Sequence, residues 1–130
     1  MLRNLLRCAV LVATISPALA DSTFPNSCSE IQFAYDAASN ATLKAVCLRT
    51  DGSANPTSLT LQGISNENGM LKQGGSGPAT FQKSCGNIRI TANGGGVLLS
   101  AQCRTNAGTS NPTSMPLNNI SNNNGSLVQQ

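Results

Sequence analysis

The side chains able to do chemistry are concentrated in two asparagine-rich turns. Asn66-Glu67-Asn68-Gly69 and Asn122-Asn123-Asn124-Gly125 each present amides two residues apart, and each half of the chain also carries a threonine soon after a cysteine, Thr50 after Cys47 and Thr105 after Cys103. Amides and hydroxyls both donate and accept hydrogen bonds, so a converging set of them suits the recognition of sugar hydroxyls. The plainer reading of Asn before Gly is a hairpin turn with no further role. Catalysis has little to draw on. The chain has no histidine, and its acids are Asp21, Glu30, Asp36, Asp51 and Glu67, which supply no duplicated carboxylate pair for glycoside hydrolysis. Hard cations want clustered carboxylates, whereas these turns carry amides. The sequence is therefore expected to encode no enzyme, cofactor or metal site.

The turns belong to a longer unit that occurs twice. Cys47 to Gln73 returns without a gap at Cys103 to Gln129, with 14 of 27 positions identical. Asn55-Pro56-Thr57-Ser58 is matched by Asn111-Pro112-Thr113-Ser114, and Leu61 and Leu71 by Leu117 and Leu127. Upstream, Ile31 and Phe33 after Cys28 correspond to Ile88 and Ile90 after Cys85. The chain reads as a tandem duplication, repeat 1 spanning about residues 24–73 and repeat 2 about 79–130, joined by Gly74-Gly75-Ser76-Gly77-Pro78 as a flexible link stiffened at its exit.

Arg3 and Arg7, the apolar run from Cys8 to Ile15 and the small residues Ala18 and Ala20 read as a signal peptide over residues 1–20. The run is well short of the roughly 20 residues that span a bilayer. A secreted, extracellular protein with no membrane attachment after cleavage is expected. Cleavage leaves six Lys and Arg against five Asp and Glu, a net charge of +1. These cations are scattered, and aromatics make up only 3% of the chain, so neither counterion release nor base stacking supports nucleic-acid binding. Four cysteines remain, and in a secreted chain without histidine they read as disulfides. Pairing within each repeat, Cys28 with Cys47 and Cys85 with Cys103, respects the duplication; pairing between repeats can be symmetric too.

The elements that must position the turns are strands. Apolar residues alternate with polar ones at Leu43, Ala45 and Cys47, at Leu99, Ala101 and Cys103, at Leu59 and Leu61, and at Met115 and Leu117, the period of a half-buried strand. Asn68-Gly69 and Asn124-Gly125 suit two-residue hairpin turns. Asp51-Gly52 and Asn93-Gly94 mark further turns, and Asn55-Pro56 and Asn111-Pro112 read as turn starters. Leu61 to Ile64 and Leu117 to Ile120 could each make one short helical turn. The fold class is all-β, and two repeats, too few for a solenoid, must close on each other as a pseudo-twofold pair.

Two halves, each running cysteine, strand, cysteine, Arg-Thr or a close variant, polar loop, Leu and Asn-x-Asn-Gly-x-Leu, resemble the cyanovirin-N homology family of lectins. The resemblance covers Phe24 to Gln129. Phe24 and Phe81, each four residues before a cysteine, belong to it, as do Arg49-Thr50 and Arg104-Thr105. It implies a cyanovirin-N-like fold with strands exchanged between the repeats, two local disulfides, and a site for mannose-type glycans at each far end. The first site falls on Asn26, Ser27, Thr50, Asn122 and Asn124. The second falls on Asn66, Asn68, Lys83, Ser84, Arg104, Thr105 and Asn106. Expected partners are mannose-containing oligosaccharides or glycoproteins. The expected state is a monomer, with a domain-swapped dimer as the alternative closure.

Departures from the family pattern shape the expectation. Asn68 and Asn124 stand where the family has an acid before the turn glycine, Leu48 replaces another acid, and Lys83 a third. A carboxylate accepts more strongly than an amide but cannot donate, so the sugar is expected to be held differently or more weakly. The alternative is a secreted interaction module that kept the fold and lost sugar binding. The basic pair Lys83 and Arg104 answers to Asn26 and Leu48 in the first half, which predicts unequal sites. Asn40-Ala41-Thr42, Asn119-Ile120-Ser121 and Asn124-Gly125-Ser126 are glycosylation acceptor patterns.

Overall fold

Alternating burial organises the described residues into ten antiparallel strands. The computed structural model describes residues 22–93 and 96–129, so the segment expected as a signal peptide lies outside the described residues. Each repeat opens with a short 3-10 turn, Phe24–Asn26 or Phe81–Lys83, whose phenylalanine is fully buried. A three-stranded meander follows. In repeat 1 it comprises β1 (Cys28–Tyr35), β2 (Ala41–Leu48) and β3 (Ala54–Thr60); in repeat 2, β6 (Cys85–Asn93), β7 (Gly96–Arg104) and β8 (Ser110–Pro116). Each repeat closes with a two-stranded hairpin, β4 (Gln62–Glu67) with β5 (Met70–Pro78), or β9 (Ile120–Asn123) with β10 (Ser126–Gln129).

The central strands are sealed on one face. Leu43, Ala45 and Cys47 on β2, and Leu99, Ala101 and Cys103 on β7, are buried and alternate with more exposed residues. With Leu61, Ile64, Leu117 and Ile120 they form one core, where each fully buried large side chain stabilises the fold by about 1.5–3 kcal/mol. The disulfides are local, Cys28–Cys47 and Cys85–Cys103, and each joins residues that face each other across the first and second strands of a meander.

The hairpins are exchanged. β4–β5 docks on β8 of the other repeat, and β9–β10 docks on β3. Side-chain hydrogen bonds fix both dockings symmetrically. Leu71 N donates to Thr113 Oγ1 at 3.2 Å and Leu127 N to Thr57 Oγ1 at 3.2 Å. Asn111 Nδ2 donates to the Gly69 carbonyl at 2.8 Å and Asn55 Nδ2 to the Gly125 carbonyl at 2.7 Å. The N-terminal end joins the same pattern, since buried Ser22 donates to the Leu117 carbonyl and accepts from Ile120 N.

Several local expectations are corrected. Gly74 to Pro78 is the end of β5, with Pro78 opposite Gln62, rather than a free link. The register shifts between Gln62 and Ile64, and Gly63 lies so close to this segment that a Cβ on it would meet the Gly75 carbonyl oxygen at 2.7 Å. Helical turns occur at the buried phenylalanines and not at Leu61 to Ile64 or Leu117 to Ile120, because Leu61 N and Leu117 N are bonded to the Ala41 and Val97 carbonyls instead. Asn55-Pro56 and Asn111-Pro112 lie within β3 and β8 rather than starting turns. Both are edge strands of their meanders, where a proline costs no ladder bond on the open side. The Asn93-Gly94 turn falls partly outside the described residues.

Candidate functional site

The two Asn-Gly turns adopt the hairpin geometry their residues suit. Asn68 and Gly69 have φ of 50° and 89°, Asn124 and Gly125 of 50° and 93°, so both central residues are left-handed, as a type I′ turn requires. The amide two residues before each turn's central asparagine does most of the joining. Asn122 Nδ2 donates to Ser27 Oγ at 2.8 Å and to the Leu48 carbonyl at 2.9 Å, while its Oδ1 accepts from Gly125 N at 2.7 Å. Asn66 repeats the set. Its Nδ2 donates to Ser84 Oγ at 2.8 Å and to the Arg104 carbonyl at 3.0 Å, and its Oδ1 accepts from Gly69 N at 2.8 Å.

The central asparagines reach the loop after the second cysteine of the other repeat. Asn124 Oδ1 accepts from Thr50 N at 2.9 Å and from Thr50 Oγ1 at 3.1 Å. Asn68 Oδ1 accepts from Asn106 N at 2.8 Å. At the first end, then, Ser27, Thr50, Asn122 and Asn124 are brought together, with Asn26 exposed at the close of the adjoining 3-10 turn. At the second end Asn66, Asn68, Ser84, Arg104 and Asn106 form one cluster. Lys83, Ser84 and Arg104 also line an open cleft of about 450 Å³ with Asn87, Gln102 and Thr109. Thr105 Oγ1 is turned to its own loop, sharing a 2.7 Å hydrogen bond with Thr109 Oγ1.

The structure also corrects the Arg-Thr parallel. Arg49 N bonds the Ser53 carbonyl just as Thr105 N bonds that of Thr109, so Arg49 is equivalent to Thr105 and Thr50 to Asn106. Arg49 has a different task from Arg104. Its guanidinium donates to Asn55 Oδ1 at 2.7 Å and Ser53 Oγ at 3.1 Å, bracing the loop from behind. That brace, and the role of Asn55 and Asn111 in holding the turn carbonyls, were missed in the sequence. The identity of Asn-Pro-Thr-Ser in both copies was the signal for them.

Two carboxylates tie down exposed loops of the first repeat. Hydrogen bonds from Ser53 Oγ and N, aided by the Arg49 charge, hold the Asp51 carboxyl below its ordinary range. Asp36 is lowered by the backbone N–H of Asn40, then by the Asn40 side chain and Ala38 N–H. Asn40 is thus half-buried with its Nδ2 engaged at 3.1 Å, whereas Asn124 is exposed. Among the described residues no group of three or more His, Cys, Asp and Glu could hold a metal ion, and no helix is long and apolar enough to cross a membrane. The arrangement therefore offers directed amides, hydroxyls and backbone groups.

Comparison with known proteins bears on what that surface is. A family model for the CVNH domain matches residues 24–128. Among solved structures, the microvirin:mannobiose complex is 32% identical, covering 84% of this chain and 99% of that one at a TM-score of 0.63. The CVNH protein of T. borchii is 29% identical, with coverage of 83% and 99% and a TM-score of 0.64. The MoCVNH3 variant in complex with (N-GlcNAc)4 shares the fold at 20% identity, 87% and 100% coverage and a TM-score of 0.67. No curated protein sequence matches.

Proposed function

Because the chain belongs to the CVNH family, we propose that it is a secreted lectin that recognises mannose-type glycans through the polar loops at its two ends. The observation that carries the reading is the duplicated asparagine. Asn66 and Asn122, in separate copies, each draw a serine hydroxyl, a backbone carbonyl and a turn N–H into one cluster. Such pre-arranged donors and acceptors lower the ordering cost of binding a flexible sugar. The mannobiose bound to microvirin, a 32% identical relative, supports the choice of sugar. Binding without bond-breaking fits the family's lectins and the scarcity of acids in either cluster.

A glycan array probed with the mature oxidised protein tests this. Signal on terminal mannose structures is expected. A blank array at high protein concentration would sink the reading and favour the interaction module. With two working ends, a branched glycan is cross-linked, and its avidity exceeds the single-site affinity when both ends can engage at once.

A further inference from the structure

The outer face of the second meander carries a groove that runs on from the second end cluster, with which it shares Ser84 and Arg104. The 450 Å³ cleft beside Lys83 and Arg104 shares Asn87 and Gln102 with a second cleft of about 500 Å³, lined further by Arg89, Ser100, Ser114 and Met70. The two run on as one trough along β7, whose Ser100, Gln102 and Arg104 face outward on alternate positions. Ser100 and Arg104 are four residues apart, about 13 Å at the rise of a strand, which takes several sugar units in line. Gly86, opposite Gln102, leaves the floor open, and the β-bulge after it turns Asn87, at φ 49°, to the shared wall.

The lining has one sign of charge. Lys83, Arg89 and Arg104 border the trough with no acidic side chain among its lining residues. All three are exposed, and their charged groups carry no ion pair or side-chain hydrogen bond among the described residues. The first half differs at each position. Its equivalent cleft, about 370 Å³, has Glu30 for Asn87, Gln32 for Arg89 and Lys44 for Ser100, and Asn26 and Leu48 replace the other two cations. A duplicated scaffold has thus gathered three uncommitted cations on one copy only.

We propose that this trough binds an anionic oligosaccharide, a sugar chain bearing carboxylate or sulfate groups. The amides and hydroxyls between the cations serve its ring hydroxyls, and the guanidiniums of Arg89 and Arg104 take its anions in charge-assisted, bidentate hydrogen bonds. No aromatic residue lines the trough, so it lacks the stacking platforms that a single-stranded nucleic acid would use. The proposal rests on the carbohydrate-binding reading of the chain and extends it to a second chemical class of glycan.

The test titrates the mature protein, at about 0.15 M salt, with an oligogalacturonate, a heparin-derived oligosaccharide, a neutral mannose oligosaccharide and a short oligodeoxynucleotide. Binding of at least one acidic sugar, and weaker binding of the oligonucleotide, is expected. The two acidic arms distinguish carboxylate from sulfate. The variant Lys83→Asn/Arg89→Gln/Arg104→Leu installs the residues the first half already carries at these positions, and its thermal unfolding shows that it folds. It should lose at least about tenfold in acidic-sugar affinity, the effect of removing charge-assisted hydrogen bonds. Lys72→Gln, on β5 outside the trough, should lose none. Equal loss in both variants, an unaltered triple variant, or oligonucleotide binding as tight as the sugar's would overturn the proposal. Mannose binding with no acidic binding removes this inference alone, whereas acidic binding without mannose binding removes the mannose reading alone.

Discussion

Gly125 shows how tightly a single residue is specified. Its φ is +93°, and a Cβ there would lie 2.8 Å from Arg49 Cγ and 3.1 Å from Asn55 Cβ. Gly52 has a similar φ of +89° with nothing within 4 Å. Gly52→Ala should therefore cost only the left-handed backbone term, about 1–2 kcal/mol, and Gly125→Ala distinctly more; urea midpoints measure both, and equal shifts would contradict the packing. Asp51 gives a pH prediction. Its carboxyl is lowered in the folded loop, so the order it lends the Thr50 loop is present above the ordinary aspartate value of about 3.9 and is lost as pH falls through the lower folded value. The equivalent residue of the second loop is Ala107. Acid should thus weaken sugar binding at the first end before the second, as ligand-induced NMR shifts at each turn would report. The Asn-Gly turns were legible because their geometry is local and their residues are diagnostic. Asn55 and Arg49 were not, since they act on partners six and 70 residues away along the chain.

At the scale of elements, the hairpins carry the exchange. Thr57→Val removes the hydroxyl that accepts from Leu127 N, and Thr113→Val the one that accepts from Leu71 N. An unmatched donor costs about 1–3 kcal/mol. The expected effect is crossed: Thr57→Val should speed amide hydrogen exchange in β9–β10 and spare β4–β5, and Thr113→Val should do the reverse. Loosening of the hairpin in the mutated repeat itself would count against the docking described. The strands of both meanders could be read from period-two alternation, which directly records one buried face. β5 could not, because from Gly74 onward it has no apolar alternation, and its glycines at 74 and 77 serve positive φ rather than packing. The 3-10 turns were likewise hidden, being three residues long and held by a buried phenylalanine rather than by a repeating pattern.

For the whole molecule, the same hairpin contacts can form within one chain or between two, and we expect the end of β5, from Gly74 to Pro78, to govern the choice. We expect the monomer to predominate. Gly74 and Gly77 have φ of +119° and +76° with open space around them, so alanine there strains the backbone without any clash. Gly74→Ala/Gly77→Ala should raise the dimer fraction after slow refolding, read by size-exclusion chromatography; a wild type that elutes mainly as dimer would reverse the assignment. The exchange also separates ancestry from function. Asn122 and Asn124 descend with the second copy yet face Ser27 and Thr50 of the first, and Asn66 and Asn68 of the first copy face Ser84 and Asn106 of the second. Neither copy builds an end cluster alone. A substitution inherited by one copy is therefore felt at the surface it builds with its sibling, so the two copies diverge as mutual tenants of both ends, and a lone repeat could recreate such a surface only by meeting a second.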